Sequence, residues 1–331
     1  MIPAFLSIDV EPEGFQLDRR DPPPWAGYAA AVEYAGWLRA SLAERTGTAP
    51  KFGWYFRTDP QIAEVHGRPD HALVAFPDRT ALLQAAGDYF GVHAHSIRWA
   101  ADRGLWVHEF GDAGWQGYAT RFALDAYAQW AGGPARLFRS GAGFLTNHIV
   151  EAAEQAGVEV DLTLEPVTGW GVHASAVPSG VDSSPIVGSY TDCGKAPRRP
   201  YRPARHDFRI DGGRRGRRLV MVPLATQVRV RRRPLWRRAA RRILHGPAPV
   251  EMLYPTAGWP SGDAFWDAVE QRLRSMRRPY LSLGIRTDAA ASTVAGRVRH
   301  IFDALPGHRL AQRLRFEDPS TTLQGRGYPR P

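Results

Sequence analysis

Seven short apolar runs of strand-forming residues recur along this chain, and several of the intervals between them carry helical periodicity. The runs are FLSI (5 to 8), FGWYF (52 to 56), YFGVH (89 to 93), ARLF (135 to 138), VEVDL (158 to 162), RLVMVPL (218 to 224) and YLSLGI (280 to 285). After the first, Tyr28, Val32, Ala35, Leu38 and Leu42 fall three or four residues apart, and Phe265, Val269, Leu273 and Met276 repeat that spacing before the last. Asn147 can cap a helix running through Ala156, with Gly157 ending it before the next strand. Strands alternating with helices of this length pack as a parallel sheet. About seven of them predict a distorted, incomplete (β/α) barrel. No clean linker divides the chain, so a single domain over residues 1–331 is expected, with a loop-rich basic insertion around 166–250. The closing RFEDPSTTLQGRGYPRP has little apolar content and is expected to trail along the surface.

Composition limits the compartment and the partners. A hydrophobic content of 44% supports a sizeable core, and the one cysteine, Cys193, excludes an internal disulfide. No basic segment with an apolar run precedes the first strand, and no uninterrupted apolar stretch reaches the ~18 residues of a membrane span. The expected location is therefore the cytoplasm. The formal charge of +10 is concentrated: residues 195 to 245 hold 18 Lys or Arg against two Asp, a local +16 that leaves −6 elsewhere. That distribution argues for one local encounter with a polyanion, a phosphate-bearing substrate or an acidic membrane rather than a nucleic-acid surface spread over the fold.

Three segments could carry chemistry. In LSIDVEPEG, residues 6 to 14, the carboxylates Asp9, Glu11 and Glu13 alternate directly after an apolar strand and would share one face if it continued. In GVHAHSIRW, residues 91 to 99, His93 and His95 project from one side of an extended segment, and neutral imidazole is a good ligand for divalent transition metals. In LFRSGAGFLTN, residues 137 to 147, Arg139 can fix a carboxylate, while Gly141 and Gly143 let the backbone approach a ligand. Asp161 at the next strand end is a possible partner for Arg139. Each has a plain structural account: an acidic turn, an incidental histidine pair, a glycine turn with a salt bridge. In a parallel β/α fold, however, functional residues gather at the carboxyl ends of strands, where these segments fall. His66, His71, His108 and His148 have less to distinguish them.

Together these segments resemble the polysaccharide deacetylase family, metal-dependent carbohydrate esterases and amidohydrolases sharing the NodB homology domain (carbohydrate esterase family 4). The resemblance covers roughly residues 4 to 165 and, more loosely, 218 to 290. LSIDVE resembles the first family motif, which makes Asp9 the general base and Glu11 a metal ligand where the family usually has Asp. GVHAHSIRW resembles the histidine motif, which implies His93 and His95 as ligands of a divalent transition metal, most often Zn²⁺, and Trp99 as a groove wall. LFRSGAG resembles the arginine motif: Arg139 and Gly143 match, whereas Ser140, Gly141 and Ala142 depart from it. The Ala142 N–H would still supply the oxyanion donor, and Asp161 resembles the acidic residue that braces the arginine. Two departures stand out. Ile97 takes the place of the usual second histidine, four residues after the first, and LSLGIRTDA offers Arg286 and Asp288 where the family places a histidine acid.

The activity implied is hydrolysis of an N-acetyl or related acyl amide on an amino sugar, glycan or lipid-linked sugar. Without the usual histidine, His173 or a protonated water is the candidate acid, and Arg286 is better suited to holding an anion. Within the basic insertion, Leu235, Trp236, Ala239, Ala240, Ile243 and Leu244 interleave with Arg237, Arg238, Arg241 and Arg242 after Pro234. This spacing predicts an amphipathic helix that would suit an anionic membrane at its inner face, and with it a sugar carried on lipid phosphate. Packing of that helix on the domain is the alternative, and no recognised nucleic-acid module accompanies it. A non-catalytic carbohydrate-binding or scaffold protein and a different metal-dependent hydrolase remain competing functions.

Overall fold

All nine residues of the first strand, β1 (Ile2–Val10), are buried, as expected for a central strand of a parallel sheet covered on both faces. The computed structural model describes residues 1–14, 16–167, 185–228, 250–288 and 293–325. Its further strands are β2 (Gly53–Arg57), β3 (Tyr89–Ala94), β4 (Ile97–Ala100), β5 (Leu105–Glu109), β6 (Leu137–Ser140) and β7 (Val160–Asp161). Then come β8 (Ile186–Val187), β9 (Val220–Met221), β10 (Thr226–Val228), β11 (Val250–Met252), β12 (Leu281–Arg286) and β13 (Leu314–Phe316). The main sheet runs in the order β12-β1-β2-β3-β6-β7-β9, with every neighbouring pair parallel. It curls into an incomplete (β/α) barrel, and the seven apolar runs of the sequence supply its seven strands.

The two-residue period of a strand divides the core. Ala4, Leu6, Ile8 and Val10 face outward into the large apolar cluster that includes Tyr28, Val32, Ala35, Leu38 and Leu42 of the helix Ala26–Thr46. Phe5 faces inward and joins Tyr55, Tyr89, Leu137, Val160 and Val220 in a second cluster inside the curl. Continuing the alternation from Phe5 through Ser7 brings Asp9 onto the inner face. The same parity puts Arg57, His93, Arg139 and Arg286 there, beyond the aromatic and aliphatic filling. Gly284 makes room for one of them: a Cβ at that position would lie 2.8 Å from Arg139 Nη2.

Two local expectations are corrected. The cap of helix Asn147–Gln155 is Thr146, whose Oγ1 accepts from the Ile149 N–H at 3.4 Å. Asn147 holds a loop instead, its Nδ2 donating to the His206 carbonyl at 2.7 Å and its Oδ1 accepting from the Phe208 N–H at 2.8 Å. The closing segment does not merely trail. Its Arg315 and Phe316 belong to β13, which pairs in parallel with Ile2–Ala4, and Leu323 of the helix Pro319–Gly325 joins the inner apolar cluster, while residues 326–331 lie outside the described residues. A sparse apolar content misled here because two well-placed side chains, Phe316 and Leu323, are buried and anchor the described part of the segment. His173 and the basic residues 235–244 lie outside the described residues. No helix among the described residues is long and apolar enough to cross a membrane.

Candidate active site

Because the barrel strands are parallel, their carboxyl ends open at one rim, and there five of them deliver polar side chains. Asp9 lies near the end of β1 and Glu11 just past it, Arg57 closes β2, His93 and His95 flank the end of β3, Arg139 lies near the end of β6, and Arg286 closes β12. Ligand atoms of Glu11, His93 and His95 all lie within 4.8 Å of one another, and the three residues are buried. His93 Nε2 is 3.3 Å from Glu11 Oε1, His95 Nε2 is 3.1 Å from Glu11 Oε2, and the two imidazole Nε2 atoms are 3.0 Å apart.

Tautomer chemistry bears on what this cluster can hold. His93 Nδ1 faces the Arg139 carbonyl at 3.2 Å. A carbonyl only accepts, so Nδ1 carries a proton in that contact, and Nε2 is the ring atom directed at Glu11 and His95. Burial, with Arg57 adding to it, holds the His95 imidazole well below its ordinary pKa. Burial works against the charge on Glu11, but Arg286, ahead of His95 and His93, overrides it and keeps the carboxyl well below the usual carboxylate range. Two imidazoles and one carboxylate converging from the ends of two strands are a common donor set for a small divalent cation, whose ligands stand roughly 3.3 Å apart in tetrahedral geometry. The residues fit such an ion.

Asp9 belongs to a neighbouring pair. Arg139 donates to it through Nε at 2.7 Å and Nη2 at 3.1 Å, a two-pronged contact, while Nη1 donates to the Leu162 carbonyl at 2.5 Å. Asp9 Oδ1 is also 3.8 Å from His93 Nδ1, which ties the pair to the cluster. Asp161 does not brace the arginine by hydrogen bonding: its Oδ1 accepts from the Thr163 N–H at 2.7 Å, and its Oδ2 has no hydrogen-bond partner among the described residues. The Leu162 carbonyl takes that place, one residue along. Burial, opposed by Thr163 and by the charge of Arg139, raises the Asp161 carboxyl to about 6.

The turn after β6 meets the cluster from another side. A Cβ on Gly141 would sit 2.3 Å from ring carbons of His95, so the bare backbone is what lets the imidazole pack there. Ala142 holds φ 55°, ψ 19°, a left-handed conformation that costs an alanine about 1–2 kcal/mol, and Gly143 follows at φ 62°. Trp99 is packed edge-on against Trp106 in the β4–β5 hairpin, with the Arg19 guanidinium 4.8 Å from its ring centre. Ile97, in the same hairpin, is core.

Residues that motif reasoning passed over complete the site. Arg57 is fully buried, with Nε on Asp59 Oδ2 at 2.7 Å, Nη2 on Gln61 and Nη1 3.7 Å from Glu11 Oε2. The same Asp59 oxygen accepts the backbone N–H of His95 at 3.0 Å, so β2 fixes the histidine turn. Thr287 locks β12 to β1, its Oγ1 donating to the Glu11 carbonyl at 3.0 Å and accepting the Glu11 N–H at 2.9 Å. One signal was available: FRTDP places charges directly after the buried run FGWYF, as LSIDVE does after FLSI.

No protein-family model matches the sequence, and no curated protein matches it. The likeness is found among solved structures. A protein assigned as a polysaccharide deacetylase from Mycobacterium smegmatis is 11% identical with a TM-score of 0.50, over 98% of this chain and 89% of that one. The PuuE allantoinase is also 11% identical, with a TM-score of 0.51 over 99% and 91%. A protein assigned as a glycoside hydrolase/deacetylase from Parabacteroides distasonis gives 11% identity and a TM-score of 0.55 over 96% and 68%. The chain shares the fold of these proteins, and at such identity the likeness extends to the fold alone.

Proposed function

We propose that this chain is a metal-dependent hydrolase that removes an N-acetyl or related acyl group from a carbohydrate: an amino sugar, a glycan or a lipid-linked sugar. The observation that carries the reading is the convergence of Glu11, His93 and His95 beside an oriented carboxylate, Asp9, at the rim of a deacetylase-like barrel. Glu11, His93 and His95 would hold the ion, with Zn²⁺ the leading candidate, and it would polarise the acyl carbonyl and acidify a water molecule. Asp9 would accept the proton of the attacking water, kept in one orientation by the two N–H groups of Arg139. The Ala142 amide, turned by its left-handed backbone, is assigned to the developing oxyanion. Trp99, Gly141 and Gly143 are assigned to the substrate groove, Arg286 to an anionic group of the substrate, and His173 to proton delivery to the leaving amine. The ion pair between Arg286 and Glu11 supports a second reading, a carbohydrate-binding protein without catalysis.

The test couples metal analysis to acyl release. The full chain should bind about one equivalent of Zn²⁺ or Co²⁺, lose it in His93→Ala and His95→Ala, and liberate acetate from some member of a panel of N-acetylated sugars. Asp9→Ala should retain the metal and lose the release. Stoichiometric metal without acyl release, combined with saturable sugar binding, would transfer the assignment to the second reading.

A further inference from the structure

Glu11 is compensated by two guanidinium groups with unequal freedom. Arg57, 3.7 Å from Oε2, is fully buried and fastened to Asp59 and Gln61, so it stays. Arg286 approaches Oε1 through Nε at 3.3 Å. Its side chain retains 31% exposure, it occupies the last position of β12, and both Nε and Nη2 also reach Asp288, the former at 3.0 Å. Arg286 therefore stands between two carboxylates, one inside the cluster and one at its edge. His93 Nε2 approaches the same Glu11 oxygen at 3.3 Å. A divalent ion bound among Glu11, His93 and His95 would draw on that oxygen and meet the guanidinium as a like charge.

We infer that Arg286 is an internal competitor for the metal: its guanidinium, held on Asp288 through Nε and Nη2, also pairs with Glu11 and gives up that second contact when a divalent ion binds. The pair then sets a threshold concentration below which the cluster stays closed by its own arginine, and Asp288 lowers that threshold by giving the arginine a second partner. The inference rests on the reading that Glu11, His93 and His95 hold a metal, and its test reads affinity rather than turnover.

Metal-free full-length protein is titrated with Zn²⁺ by calorimetry and with Co²⁺ by visible absorption, with His93→Ala marking binding elsewhere. Arg286→Gln should tighten binding at the cluster by about tenfold or more, a change worth about 1.4 kcal/mol per factor of ten. Arg286→Lys, which keeps the charge, should remain within a few-fold of the parent. Asp288→Asn should weaken binding by a similar factor, and this variant carries the test if Arg286→Gln does not fold. Equal affinities in the parent, Arg286→Gln and Asp288→Asn would overturn the competition while leaving the metal site in place. Titrations of the parent and Arg286→Gln that are indistinguishable from His93→Ala would overturn both.

Discussion

Taking away the carboxylate of Asp9 would leave a buried guanidinium with two of its donors unmatched. The Arg139 and Asp9 side chains are only 8% and 5% exposed, and their bonds of 2.7 and 3.1 Å are the two-pronged kind that binds carboxylate to guanidinium most firmly. Removing one member of a buried pair costs about 3–5 kcal/mol, most of it the uncompensated charge that stays behind. Asp9→Ala should destabilise the metal-free protein by about that amount. Arg139→Met should cost a comparable amount, since it strands Asp9 and also frees the Leu162 carbonyl. The double variant strands neither charge and should recover about 2–3 kcal/mol of the summed losses, the upper part of the range for directly coupled residues. Urea unfolding of the four proteins at one pH, without added metal, measures the cycle. If the two losses add to within about 0.5 kcal/mol, the pair is not the coupled unit described above.

Asp161 offers a pH-dependent test. Its carboxyl, raised to about 6 from an ordinary 3.8, favours the folded state below the unfolded value and loses that contribution as pH rises through the folded one. At pH 8 the ionised group therefore costs about 3 kcal/mol and at pH 5 roughly half of that. Asp161→Asn should be stabilising at pH 8, with the advantage shrinking by about half at pH 5; denaturant midpoints at the two pH values read this, and a pH-independent difference would contradict it. Gly141→Ala should push on the His95 ring, which a Cβ would approach to 2.3 Å, and weaken Co²⁺ binding at least about tenfold while the secondary structure stays intact. Unaltered Co²⁺ affinity in that variant would mean that the turn does not position the imidazole.

Much of the framework was legible because parallel strands advertise themselves. A strand buried on both faces must be apolar for most of its length, so FLSI, FGWYF and YLSLGI stand out, and the first polar residue after each marks the rim. Asp9 and Arg139 are read by that rule, Glu11 by its alternation with Asp9 and His93 by its spacing from His95. Arg57 and Asp59 obey it equally, but an Arg–Asp pair has no metal-ligand signature and reads as an ordinary salt bridge until His95 is seen resting on Asp59. The acidic partner of Arg139 was misjudged for a different reason. Asp161 and Leu162 are adjacent, and the group that accepts from the guanidinium is the Leu162 carbonyl, a backbone atom that no pattern of residue types marks. Thr146 and Asn147 are both competent caps, and the loop at 206–208 decides between them by claiming the asparagine.

Two of the three strands that flank the opening strand are made long after it. Its edges are filled by β2, β12 and β13, and the hydrogen bond that fastens Glu11 to Thr287 spans 276 residues. At ribosomal speeds of about 5–20 residues per second, the nascent β1 keeps one apolar edge unpaired for tens of seconds, with β2 alone beside it, before its C-terminal companions emerge. Such distant closure makes folding slow and leaves the acidic rim among the last regions to assemble, so a cell that makes this protein has to shelter its earliest strand until the final third of the chain arrives.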